Sequence, residues 1–270
     1  MEIEKLRIGG AQIPVTADVH KNTVTIKTAI DWAEENKVDF MLTPEGALSG
    51  YLNTFNELQS MDIDQEINEV VAYASKKNVH LILGTECIKS VAYGMVKCSQ
   101  VRYYDDATQL IDTYDKQLPI PAENAYIGLP PEGPVNLEGF GARGPYSFKA
   151  GTFICNDMWG QLKGQTVAIP DFQLYSYHKT DIIFHASNGF RGDEVGDEYN
   201  NKKLREFADI NLWMNSRFNI PIVTVDNCYK NNGEYYDGPT SSTSGIIYNG
   251  EWLVKASPSG TDYFYHDFNF

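Results

Sequence analysis

Three residues in this chain stand directly beyond apolar segments. Glu45 follows DFMLTP, Lys116 closes an alternating run, and Cys155 ends YSFKAGTFI. In sheets flanked by helices, ligands collect outside the carboxyl ends of the strands, so these are positions where chemistry is placed. A thiol is mostly protonated at neutral pH. A carboxylate within reach can take its proton, and a nearby ammonium favours both the thiolate and a developing oxyanion. Taken singly, each residue has a plainer reading: Glu45 as a solvated loop carboxylate, Lys116 as an exposed cation, Cys155 as a small buried hydrophobe. Together they form a complete set for thiol-based nucleophilic catalysis.

The elements that must position them read as α/β throughout. LRIGGAQI (6–13) has the pattern of a strand, and Ile26, Ala29, Ile30 and Ala33 follow at helical spacing. DFMLTP (39–44) is a short apolar strand closed by proline. Ile63, Ile67, Val70, Val71 and Ala74 make the stripe of a helix, with Asp62 and Gln65 as a capping box at its start. HLILGTECI (80–88) is a strand, and 94–116 holds two alternating runs around DDAT, a hairpin signature. The Pro/Gly-rich passage 119–145 lacks periodicity and reads as a long surface excursion. Strands are expected at 146–156, at 180–188 after a weaker helix, and at 220–227. Leu204, Phe207, Ala208 and Leu212 mark a helix between the last two. SGIIYNGEWLVKAS turns on Asn249 and Gly250 as a hairpin, and YFYHDFNF ends the sequence as a strand. No repeat or linker divides the pattern, which favours one α/β sandwich domain over 1–270.

Composition narrows the function classes. A 42% hydrophobic fraction with 13% aromatics supplies a core. With 22 Lys plus Arg against 36 Asp plus Glu, the net charge of −14 argues against binding to a phosphate backbone, so no nucleic-acid partner is expected. The N-terminal residues lack a leader pattern and no apolar run reaches the ~18 residues of a membrane span, so a cytoplasmic protein without membrane association is expected. The four cysteines, at 87, 98, 155 and 228, show no metal-ligand spacing, so reduced thiols and no metal are expected.

The segments around the three residues resemble the carbon–nitrogen hydrolase, or nitrilase, superfamily, whose members use Glu, Lys and Cys in that chain order. LTPEGALSGY is similar to its strand–Pro–Glu segment, YDKQLPIP to its Tyr-x-Lys segment, and FICNDMW to its Ile-Cys-x-Asp segment. LRIGGAQIPV, DIIFHASNG, IPIVTVDN and SSTSGIIYNGEW extend the resemblance over nearly the whole chain. The resemblance implies a four-layer α-β-β-α sandwich and pairing into a homodimer or higher homo-oligomer. It also implies hydrolysis of a small amide with no cofactor. Cys155 would attack the carbonyl carbon, Glu45 would act as base and then acid, and Lys116 would stabilise the tetrahedral intermediate. Glu123, in IPAENAYIG beside Tyr126, matches the family's second glutamate, which orients the lysine; Asp157 matches an aspartate with a structural role. The backbone N–H of Asn156 is a candidate second oxyanion donor.

Departures bear on the substrate. Members that recognise a substrate carboxylate carry Arg four residues after the cysteine, where this chain has Trp159. Trp159, Asn188 and Phe190 are expected to line an apolar or aromatic pocket instead. Nitrilases proper follow the nucleophile with Trp-Glu, whereas Asn156-Asp157 stands here, so amide hydrolysis is preferred over nitrile hydrolysis and carbamoyl cleavage stays open. Other readings are a catalytically silent assembly subunit, an acyl transferase, and a papain-type Cys155–His185–Asn188 set. The last is disfavoured because His185 and Asn188 share one predicted strand and the local signature is missing. His185 reads more simply as a satisfied histidine in a buried strand.

Overall fold

The computed structural model describes residues 5–50, 57–91, 94–119, 134–141, 144–159, 161–162, 165–166, 179–189, 198–228 and 238–270. Among them, two mixed six-stranded sheets face each other. The first sheet is built from β1 (Leu6–Gln12), β2 (Phe40–Leu42), β3 (His80–Val91), β4 (Gly94–Tyr104), β5 (Leu110–Asp115) and β14 (Asp262–Phe268), in the order β14-β1-β2-β3-β4-β5. The second contains β6 (Val135–Gly141), β7 (Gly144–Ile154), β10 (Ile182–Ala186), β11 (Ile222–Val225), β12 (Gly245–Tyr248) and β13 (Glu251–Lys255), in the order β13-β12-β11-β10-β7-β6. Each sheet has three adjacent parallel strands, β1-β2-β3 and β7-β10-β11, with antiparallel strands outside them. A short pair, β8 (Gln161–Leu162) and β9 (Gln165–Thr166), lies apart.

Alternation along the strands sorts the core into layers. Ile8, Phe40, Leu42 and Ile82 of the first sheet pack on Phe148, Ile154, Phe184 and Val223 of the second. The opposite face of the first sheet, through Met41, Leu81 and Leu83, packs on α1 (Val19–Glu35) and α2 (Glu57–Lys76). The outer face of the second sheet, through Phe153, Ile183 and Ile222, meets Met158 of α3 (Asn156–Trp159) and Leu212 of α4 (Glu198–Ser216). The result is the expected α-β-β-α order of layers. Asp18 caps α1 by accepting from the Lys21 amide, and Ile26, Ala29, Ile30 and Ala33 form its buried stripe.

Several elements differ from the pattern-based reading. Helix α2 begins at Glu57, so Asp62 lies inside it rather than at its start; the apolar stripe simply does not reach the helix's polar first turn. Within 119–145 the structure contains β6, which pairs with β7 from Val135↔Ala150 to Gly141↔Gly144. Its glycines and charged Glu138 weaken the strand signal, and main-chain pairing supplies what propensity lacks. Strand β7 stops at Ile154 because Cys155 turns into the left-handed region at φ +45. On α4, Ala208 and Leu212 are buried, while Leu204, Phe207, Ile210, Trp213 and Met214 are exposed. The expected hairpin is present as β12–β13, with Asn249 at φ +50 and Gly250 at φ +82 as a two-residue turn requires. The weaker helix expected before β10 falls largely outside the described residues. Among the described residues, no helix is long and apolar enough to cross a membrane.

Candidate active site

Glu45, Lys116 and Cys155 follow the carboxyl ends of β2, β5 and β7, and all three are buried. The segment carrying Glu45 leaves β2 and folds tightly over β3. A Cβ on Gly84 would lie 1.9 Å from the Pro44 carbonyl oxygen and 3.1 Å from the Glu45 Cα, so only glycine admits this approach. The Gly84 amide also donates to Thr43 Oγ1. From the second sheet, Asn188 Nδ2 donates to the Glu45 carbonyl at 3.1 Å, and Asn188 Oδ1 accepts from Asn227 Nδ2. Both sheets therefore fix the backbone of this carboxylate.

Lys116 Nζ meets Glu45 Oε1 at 2.8 Å, with both side chains essentially out of water. Ser99 Oγ donates to the same oxygen at 3.1 Å, while Glu45 Oε2 is buried with no hydrogen-bond partner among the described residues. Burial opposes the ammonium charge, but the negative fields of Glu45 and Cys155 outweigh it and hold the Lys116 pKa above its usual value. The lysine is therefore a fixed cation, electrostatically coupled to the cysteine.

Cys155 occupies a backbone conformation rare for a residue with a Cβ, of the kind that concentrates at functional sites. Its amide donates to the Ala186 carbonyl at 2.8 Å, and its carbonyl accepts from Met158 N at 3.1 Å as α3 begins. Asp157 then ties the two sheets together. Its Oδ1 accepts from the amides of Gln117 (3.0 Å) and Leu118 (2.7 Å), and its Oδ2 from the Tyr114 hydroxyl (3.0 Å) and the Ile154 amide (3.1 Å). Asn156 Nδ2 adds a bond to the Leu118 carbonyl at 2.9 Å. The residues just after Lys116 are thus clipped to the helix that begins just after Cys155. Burial pushes the Asp157 carboxyl up to about 6, with Lys116 and its donors working against that rise.

His185 lies beside the site without facing it. Its Nδ1 contacts Thr224 Oγ1 at 2.8 Å and its Nε2 the Cys155 backbone carbonyl at 3.3 Å, so the nitrogen facing a carbonyl carries the proton and the other accepts. This is a satisfied buried histidine. The Trp159 ring packs edge-on against His185 and Phe207, on the α4 side of the second sheet. Glu123, Tyr126 and Phe190 lie outside the described residues.

Three contributors were not visible in the sequence. Ser99 and Glu86 come opposite each other only through the β3–β4 register. Asp226 accepts from the amides of Gly189, Asn227, Ser241 and Ser242 and from the Ser241 hydroxyl, holding the loops after β10 and β11. Its position at the end of the apolar run IPIVTVDN is the one signal that marks it.

Burial lowers the His185 pKa to about 4. A histidine kept neutral by the fold but protonated in the unfolded chain stabilises fully above its unfolded value near 6.5, and that contribution is lost as pH falls toward 4. The Asp157 shift acts in the opposite sense over nearly the same range, so the two are separated by substitution. In urea unfolding, the stability difference between the parent and His185→Gln is expected to shrink by up to about 3 kcal/mol between pH 7 and pH 4. A difference that stays constant with pH contradicts a neutral buried His185.

The sequence profile of the carbon–nitrogen hydrolase family matches residues 5–187. No curated protein sequence matches the chain. Among solved structures, an amidase from Nesterenkonia sp. superposes with a TM-score of 0.72 at 17% identity, covering 99% of this chain and 92% of that one. The NitN amidase from Neterenkonia sp. AN1 gives 0.71 at 18%, covering 98% and 93%. A variant of the Nesterenkonia sp. AN1 amidase that carries acrylamide added at its active-site cysteine gives 0.70 at 16%, covering 98% and 93%. These likenesses show a shared fold, and with the profile match over more than half of its length, the chain belongs to the carbon–nitrogen hydrolase family.

Proposed function

We propose that this protein is an amidase that hydrolyses a small non-peptide amide through a thioester on Cys155. The observation that carries this reading is the buried Lys116–Glu45 pair set against a cysteine on a left-handed turn. Glu45 Oε1 is committed to Lys116 and Ser99, which leaves Oε2 to take the thiol proton as Sγ attacks the carbonyl carbon. Lys116 and the Asn156 N–H receive the oxyanion. Glu45 then gives its proton to the leaving nitrogen, the C–N bond breaks, and ammonia or an amine departs. Water loses a proton to Glu45 and adds to the thioester; the C–S bond breaks, the acid leaves, and the thiol regains its proton. In this reading Glu123 orients Lys116, and Asn188 acts by holding the Glu45 backbone. The domain spans 1–270, and the protein works in the cytoplasm.

Ammonia release from a panel of amides, N-carbamoyl compounds and nitriles tests the proposal. Release from the amides is expected, with Cys155→Ala lowering kcat/KM by at least about 1000-fold. Release from carbamoyl compounds alone would reassign the leaving group. Unchanged turnover in Cys155→Ala would overturn the mechanism, and transfer to added amines in place of water would mark an acyl transferase.

We also propose that α4 forms a homodimer contact. Phe207, Ile210 and Met214 repeat along one side of this helix, with Trp213 beside them, and Ile210 and Met214 are 58% and 56% exposed. Sedimentation is expected to show a dimer that Ile210→Asp converts to monomer. A monomeric parent chain contradicts this.

A further inference from the structure

One titratable group at the site is unused by the reaction above. Glu86 lies on β3, where alternation places it with Ile82 and Gly84 on the face turned toward the second sheet. It is 1% exposed; among the described residues neither carboxyl oxygen makes a hydrogen bond of good geometry, and the Ser99 hydroxyl lies close enough to act on it. Ser99 stands directly opposite on β4, and the Lys116 amide donates to the Ser99 carbonyl at 2.9 Å. Glu86, Ser99 and Lys116 therefore lie side by side across three strands, and the Ser99 hydroxyl is already donated to Glu45 Oε1.

Donor counting fixes what Glu86 can be. A serine hydroxyl has one proton, and Ser99 spends it on Glu45, so toward Glu86 it presents lone pairs. A carboxylate there would face those lone pairs with no donor of its own; a carboxylic acid offers them a proton. Charge counting agrees. The groups acting on Glu86 are Glu45 from the segment after β2, Lys116 from the end of β5, Ser99 from β4 and Cys87 on its own strand. Lys116 is paired with Glu45, and among the described residues neither Glu86 oxygen receives a hydrogen bond from it. Burial first, and Glu45 second, hold the Glu86 carboxyl well above the usual carboxylate range, against the smaller opposing charge of Lys116.

We propose that Glu86 is a neutral carboxylic acid in the wall of the site and a positioning residue for Glu45, acting through Ser99. Its proton turns the Ser99 hydroxyl toward Glu45 Oε1, so that Lys116 and Ser99 hold one oxygen and the other is free for proton transfer. A charged Glu86 would instead set a second negative charge beside Glu45 and compete with it for the Ser99 proton. The catalytic part of this inference rests on the amidase reading; the protonation state does not.

The experiment has two arms that fail separately. Infrared spectra of the purified protein at pH 7.5 are expected to contain a carboxylic-acid C=O band that disappears in Glu86→Gln, a readout that needs no substrate. With a substrate from the panel, Glu86→Gln, which retains a donor, is expected to keep kcat within about 3-fold and leave the acid limb of the pH profile in place. Glu86→Leu and Ser99→Ala are expected to lower kcat by about 10-fold or more at similar KM, with the double variant no worse than either single one. Three results would overturn the proposal: absence of the band, an acid limb shifted to lower pH in Glu86→Gln, or unchanged rates in both Glu86→Leu and Ser99→Ala. If no substrate is found, the amidase reading fails while the infrared arm still decides the state of Glu86.

Discussion

A lysine ammonium and a glutamate carboxylate sealed between two sheets are tolerable only in contact. Separating them would leave an uncompensated buried charge at a cost of several kcal/mol, so the fold must deliver both to within 2.8 Å. Much of the local architecture answers to that requirement. Gly84 lets the Glu45 segment lie on β3, Asn188 holds its carbonyl from the other sheet, and Ser99 satisfies part of the carboxylate. Asp157 fixes the chain after Lys116 to the helix after Cys155. The nucleophile is placed by the same clamp that places the lysine.

Strand alternation also separates charges that the sequence runs together. Asp115 and Lys116 are neighbours in the chain, yet they point to opposite faces of β5. Behind the site, Asp115 is matched by Lys89 at 2.8 and 2.7 Å and by Gln100 at 2.7 Å, beside the facing thiols Cys87 and Cys98. Lys116 is therefore not drawn to the acid next to it and stays with Glu45. The same alternation gives Glu86 to the site and Cys87 to the back of the sheet. A single step in register would exchange the two sets.

The parts legible in the sequence are those encoded locally. Glu45, Lys116 and Cys155 each sit in a short segment whose residue types announce a strand end, and α1 and the Asn249-Gly250 hairpin follow from spacing and turn chemistry alone. What escaped depends on pairing between distant segments. Strand β6 has a weak signal of its own because glycine and charge break its alternation, and it exists as the partner of β7. Ser99 and Glu86 are ordinary strand residues until the β3–β4 register sets them beside Lys116. The exposed side of α4 could not be told from a core stripe, because periodicity identifies an apolar face without saying what covers it.

Cys155 is the thiol whose charge bears on Lys116, whereas Cys87 and Cys98 face each other on the back of the first sheet. The most direct measurement is the rate of iodoacetamide labelling at each cysteine of the native protein at neutral pH, read by peptide mass spectrometry. Labelling of Cys155 at least about 10-fold faster than the other three is the predicted result. Labelling of Cys155 no faster than Cys87, Cys98 or Cys228 would contradict its assignment as the nucleophile.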